Sequence, residues 1–177
     1  MNCHVSILTL VLAGFMPLFA AAADTSTLAG TWQFDASRST ELSPWRAFEL
    51  SIQLDGNLVT IDRRLGAGRR GFTDSMSLDL SKAENVIAVE LWPDNRHLGA
   101  YIAGDRTKRV RATWLDDRGI LRLSTDLILS TQQGERSVNI LSDYKVSASG
   151  AQLTLTQLRS TRNRPVVYVF NRTPAGP

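Results

Sequence analysis

The sequence predicts one antiparallel all-β domain, closed as an up-and-down β-barrel of about eight to ten strands, behind an apolar leader. Three observations predict it. After residue 24 the chain alternates apolar and polar residues with a period of two, segment after segment. The breaks between segments carry Gly, Pro, Asn or Asp and recur roughly every 10 to 15 residues. No stretch shows the 3.6-residue stripe of an amphipathic helix. Connections this short cannot hold the crossovers of a parallel sheet, so neighbouring strands are antiparallel. A sheet of this size curls shut or splits into two layers. Closure removes the exposed edges, which puts a barrel ahead of a sandwich.

The leader comes first. Val5 to Phe19 is nearly all apolar, and Ala21-Ala22-Ala23 supplies small residues before Asp24. That is the layout of a secretory signal peptide, too short for a comfortable membrane span, though no Lys or Arg precedes the apolar run. Residues 1–23 are therefore expected to be cleaved, leaving 24–177 as one exported domain, periplasmic or secreted. Cys3, the only cysteine, lies ahead of the apolar run, so the mature part forms no disulfide and has no thiolate chemistry.

The strands follow in order. The first begins at Leu28, and Thr40 to Ala47 has room for one helical turn. "FELSIQL" puts Phe48, Leu50, Ile52 and Leu54 on one face, and Asp55-Gly56-Asn57 turns the chain into "LVTIDRR". "LGAGRRG" (Leu65 to Gly71) reads as a hairpin tip with Arg63, Arg64, Arg69 and Arg70 exposed around it. "DSMSLDL" sets Met76, Leu78 and Leu80 against Ser75, Ser77 and Asp79. "VIAVELW" (Val86 to Trp92) is apolar enough for a strand covered on both faces. "RVRATWL" sets Val110, Ala112 and Trp114 opposite Arg109, Arg111 and Thr113, so both arginines face water. After the turn at Asp117-Arg118-Gly119 come "ILRLSTDLIL", "SVNILSDYKV", "QLTLTQL" and, past Asn163-Arg164-Pro165, "VVYVFNR".

Two ends of this meander fit each other. Gly30 permits close backbone approach, Trp32 is large enough to plug one end, and antiparallel closure brings Arg172 of the last strand beside them. Gly30, Trp32 and Arg172 in these positions resemble the lipocalin and calycin superfamily, and "GTWQFDASRS" is similar to the start of small exported bacterial lipocalin-like domains. The resemblance covers the architecture of the mature chain with three motif residues, and the family's second and third short motifs are missing. It implies a cup closed at the Trp32 end.

Composition narrows the function. The net charge is +3, with Lys82, Lys108 and Lys145 the only lysines among 20 basic residues. Seventeen acidic residues are interspersed, which suits a solvated mixed surface rather than a nucleic-acid binder. One His and no Cys after the leader provide no zinc site, and no calcium loop is present. Nitrobindin-like barrels also carry a Gly-x-Trp but hold haem through a His near the last strand, where "VVYVFNR" has none. No cofactor is expected. No Gly-x-Ser-x-Gly elbow occurs, so the one catalytic candidate is His97, oriented by Asp94 in the polar segment from Trp92 to Arg109.

The expected function is therefore binding rather than catalysis. Phe48, Leu50, Ile52, Val110, Trp114, Val138, Ile140, Tyr144, Tyr168 and Phe170 would line the cup around a small hydrophobic molecule such as a fatty-acid-like lipid. Tyr144 or Tyr168 would offer a polar handle. The competing expectations are a packed barrel that acts through its surface as an interaction module, and a cofactor-free enzyme working through His97.

Overall fold

The computed structural model describes residues 28–40, 42, 45–89, 101–116 and 119–174. The leader, the Asp94–His97 segment and the Asp117-Arg118 turn lie outside the described residues. Within them the two-residue alternation produces eleven strands. They are β1 (Gly30–Phe34), β2 (Ala47–Asp55), β3 (Leu58–Ala67), β4 (Arg70–Asp79), β5 (Asn85–Ala88) and β6 (Tyr101–Ile102), then β7 (Thr107–Leu115), β8 (Ile120–Thr131), β9 (Gly134–Val146), β10 (Gln152–Arg159) and β11 (Val166–Arg172). The strand order is β4-β3-β2-β1-β11-β10-β9-β8-β7-β5, with β6 beside β8, and the pairs are antiparallel.

The first strand pairs with the last, Trp32 opposite Arg172, and this joins the two ends of the meander. Strands β4 and β5 form no ladder, so the barrel is nearly rather than fully closed. Asn85 spans the seam at one end. Its side-chain oxygen accepts from Asp79 N–H at 2.9 Å, its amide donates to Asp79 C=O at 3.1 Å, and it lies 3.5 Å from Val110 C=O. A buried primary amide has the donor and acceptor of a peptide group, so it satisfies backbone that a neighbouring strand would otherwise pair.

Local chemistry sets the strand ends. Asp35, Asp79 and Asp105 each precede a Ser or Thr by two residues. Each accepts from that residue's N–H at 3.0 Å and its hydroxyl at 2.6 Å, which turns the chain. The tip between β3 and β4 is the two-residue turn Gly68-Arg69, with Gly68 at φ 61°. On the outer wall Arg111 donates to Asp126 at 2.7 Å, Asn139 to Asp126 at 2.7 Å, and Arg122 to Asp143 at 2.7 and 2.6 Å. Arg109 and Arg111 do face water.

A 3₁₀ turn, Ala36–Arg38, held by the Asp35 cap, precedes Thr40; within the Thr40–Ala47 stretch, part of which lies outside the described residues, Trp45 N–H donates to Leu42 C=O at 2.9 Å. One local expectation is corrected. Val86 is 58% exposed, so β5 is an edge strand with one open face rather than a strand covered on both. The two-residue β6 gave no sequence signal because it is too short to show a period.

Candidate functional site

The barrel is built from the floor up. Trp32 is fully buried and its indole N–H donates to Leu28 C=O at 3.1 Å. The Arg172 guanidinium lies 4.0 Å over the Trp32 ring and donates to Gly150 C=O at 2.7 Å and Ala29 C=O at 2.8 Å. Gly30 sits at φ 141°, which L side chains rarely adopt, and a Cβ there would push the Arg172 Nη1 end aside. Above the plug, Leu50, Ile52, Ile61, Leu78, Leu121, Leu153, Leu155 and Phe170 are at most 2% exposed. That half of the interior is solid.

Toward the other end charged and polar side chains join the inward face. Arg63 shares its strand face with Val59 and Ile61, and Asp74 shares its face with Met76 and Leu78, so both side chains enter the barrel. They form a two-pronged ion pair: Arg63 Nε donates to Asp74 Oδ1 at 2.7 Å, and Arg63 Nη2 donates to Asp74 Oδ2. Yet their side chains keep 22% and 24% exposure.

Lys108 enters from β7, next in alternation to Val110, and lies within charge range of both. Burial, reinforced by the Arg63 charge and only partly offset by Asp74, lowers its ammonium to about 8. Burial likewise raises the Tyr144 phenol, with the Arg63 charge working against it and Asp74 with it. For Arg63 burial works downward, but the hydrogen bonds and charge of Asp74 win and its pKa is raised. Beside this group Gln157 donates to Ser142 at 3.1 Å, and Arg159, 5% exposed, is lowered to about 10 by burial.

The walls near this polar group are aromatic. Phe34, Phe48, Tyr168 and Phe170 meet mostly edge to face at centroid distances of 5.1–6.4 Å, and Trp45 covers Phe72 at 6.4 Å. At the rim, where β8 and β9 turn, a groove of about 890 Å³ is lined by Leu129, Glu135, Arg136, Val138 and Ser160 among others. Among the described residues no group of three His, Cys, Asp or Glu is placed to hold a metal. No helix among them is long and apolar enough to cross a membrane.

No protein-family model matches the chain, and no curated protein resembles it in sequence. Solved structures do match in shape. Secretory abundant heat soluble protein 4 from Ramazzottius varieornatus is 8% identical, with a TM-score of 0.51 over 84% of this chain and 96% of that one. A second secretory abundant heat soluble protein from the same organism is 11% identical, with a TM-score of 0.50 over the same shares. A fatty-acid-binding protein from Manduca sexta is 9% identical, with a TM-score of 0.45 over 82% of this chain and 99% of that one. The chain shares the fold of the first two, an antiparallel up-and-down β-barrel that is nearly closed.

Within this barrel the ten expected lining residues share the inward face. Phe48, Leu50, Ile52, Val110, Val138, Ile140, Tyr144, Tyr168 and Phe170 are at most 6% exposed, and only Trp114 is half-buried. Charged and polar residues of this face were missed: Arg63, Asp74, Lys108, Gln157 and Arg159. Arg63 in particular was expected at the surface with Arg64, Arg69 and Arg70; it is inside, paired with Asp74. A signal existed. Extending the alternation by one step from Ile61, Met76, Val110 and Leu155 lands on each of the first four, and two steps from Leu155 lands on Arg159. His97 and Asp94 lie outside the described residues.

Proposed function

We propose that the protein is an exported binding protein that holds a small, mostly apolar molecule in the half of the barrel that carries charged side chains. The molecule's oxygen-bearing end meets Arg63, Lys108 and Tyr144. One observation carries this reading: an ion pair enclosed by the barrel wall keeps 22% and 24% side-chain exposure. An interior packed tight would leave such a pair dry or replace it with apolar side chains of similar volume. Among the described residues Arg63 and Lys108 share this space with Asp74, a balance that favours a carboxylate, carbonyl or hydroxyl oxygen over an amine. The aromatic wall of Phe34, Phe48, Phe72 and Tyr168 suits the apolar body. Export rests on the Val5–Ala23 leader.

Native mass spectrometry of the mature protein from its own host's exported fraction tests the reading, followed by displacement of an environment-sensitive dye by dodecanoate, dodecanol and dodecylamine. A discrete mass released on denaturation, with dodecanoate and dodecanol displacing the dye better than dodecylamine, is the expected result. A clean apo mass together with no displacement by any of the three would replace it with a packed barrel acting through its surface.

A further inference from the structure

Acidic and basic residues are interspersed along the sequence, but the fold sorts them by end. The connections at the end away from the Trp32 plug are those after β1, between β3 and β4, before β7, from β8 to β9 and from β10 to β11. The first brings Arg38 and Arg46, the second Arg69 with Arg70 opening β4, the third Arg106 and the last Arg164, all exposed. Asp35 and Asp105 are the acids of the same described connections, and each carboxylate is engaged by the Ser or Thr two residues on. Around the plug the described connections carry Glu84 and Asp116 against Lys82. One end of the barrel is therefore a basic ring, and the other is not.

Two features indicate what such a ring meets. Its cations are guanidinium groups, whose planar fork bonds phosphate oxygens in pairs, whereas the exposed Lys82 and Lys145 lie toward the plug. Beside Arg46, the half-buried Trp45 covers Phe72 at 6.4 Å, two residues after Arg70. Backbone bonds fix this corner: Trp45 N–H donates to Leu42 C=O at 2.9 Å, and Arg46 N–H to Gly66 C=O at 2.7 Å. A partly exposed indole among cations suits the headgroup level of a bilayer. The arginines also come from separate connections around a barrel wall, so they face a plane rather than follow a groove that would track a nucleic-acid strand.

We propose that this end of the barrel docks on an anionic phospholipid membrane surface, with the arginines on lipid phosphates and Trp45 among the head groups. The docking goes beyond the ligand reading above and does not depend on it. The test is sedimentation of the mature protein with vesicles of phosphatidylcholine alone and of mixed phosphatidylcholine and phosphatidylglycerol. It is run at roughly 0.1 M salt, where exposed charges more than about 10 Å apart are screened. Two charge-matched double variants separate the ends: Arg69→Glu with Arg70→Glu on the ring, and Lys82→Glu with Lys145→Glu toward the plug. Binding is expected to the mixed vesicles only, weakened roughly tenfold or more by the first pair and about twofold or less by the second. Thermal melting followed by circular dichroism checks that each variant folds. Arg46→Glu with Arg164→Glu, from two other connections, should repeat the loss and replaces the tip pair if that pair does not fold. An equal loss at both ends reduces the effect to net charge and overturns the proposal. So does equal binding to both vesicle types, or none to the mixed ones. A single-stranded oligonucleotide that binds while the vesicles do not makes the ring a nucleic-acid surface and overturns it as well.

Discussion

Replacing Lys108 with Met removes a buried charge while keeping an unbranched stem of similar volume, so its effect on stability has a sign that depends on pH. The ordinary lysine value is 10.5, and burial with the Arg63 charge lowers it in the fold to about 8. At pH 7 the group is protonated both folded and unfolded, so the fold bears the cost of holding the ammonium out of water. The fall from 10.5 to about 8 corresponds to about 3 kcal/mol. Residual exposure of the side chain trims the expected gain to about 1–3 kcal/mol. Between pH 8 and 10.5 the unfolded chain binds the extra proton, so wild-type stability from this group rises with pH. Lys108→Met should therefore be the more stable protein at pH 7, and its advantage should shrink by about half or more by pH 9.5. Tyr144 titrates in the opposite sense above 10, because its phenol is raised in the fold, but it is common to both proteins and drops out of the difference. Urea unfolding of the two proteins at several pH values measures that difference. A gap that is independent of pH, or a variant less stable at pH 7, would refute the argument that burial and Arg63 hold the amine toward neutrality.

Other consequences follow from the same geometry. Asp74→Ala leaves the Arg63 guanidinium in the interior without its carboxylate, and should cost about 2–4 kcal/mol in chemical denaturation, while Arg63→Leu with Asp74→Leu should cost far less. Gly30→Ala forces a left-handed φ and drives Arg172 off Ala29 C=O, for a loss of about 2–3 kcal/mol. Adding Arg172→Ala to Gly30→Ala should cost less than the two single changes together, which a double-mutant cycle measures. Asn85→Ala strands the Asp79 N–H and C=O at the seam and should cost about 1–3 kcal/mol, with faster amide hydrogen exchange at Asp79 as the local readout.

What the sequence determined by itself is local. A period of two is a property of one strand, so the inward faces of β2, β4 and β7 to β11 could be read without knowing their partners. Turn residues are equally local, and together they imply an antiparallel meander. Gly30, Trp32 and Arg172 were legible as a set because they sit at the two ends of that meander, which closure brings together. Alternation assigns a side chain to a face, but the meaning of a charge on that face depends on who meets it. Arg63 reads as a surface arginine until β4 delivers Asp74 opposite it, and Lys108 becomes unusual only once the barrel buries it with Arg63 nearby. Pairing across the sheet also decided that β4 and β5 do not join and that the Asn85 amide spans their seam. The tertiary structure alone set a tightly buried apolar floor apart from a half that carries charged side chains. Packing density is a sum over side chains from every strand, and no single stretch of sequence contains that sum.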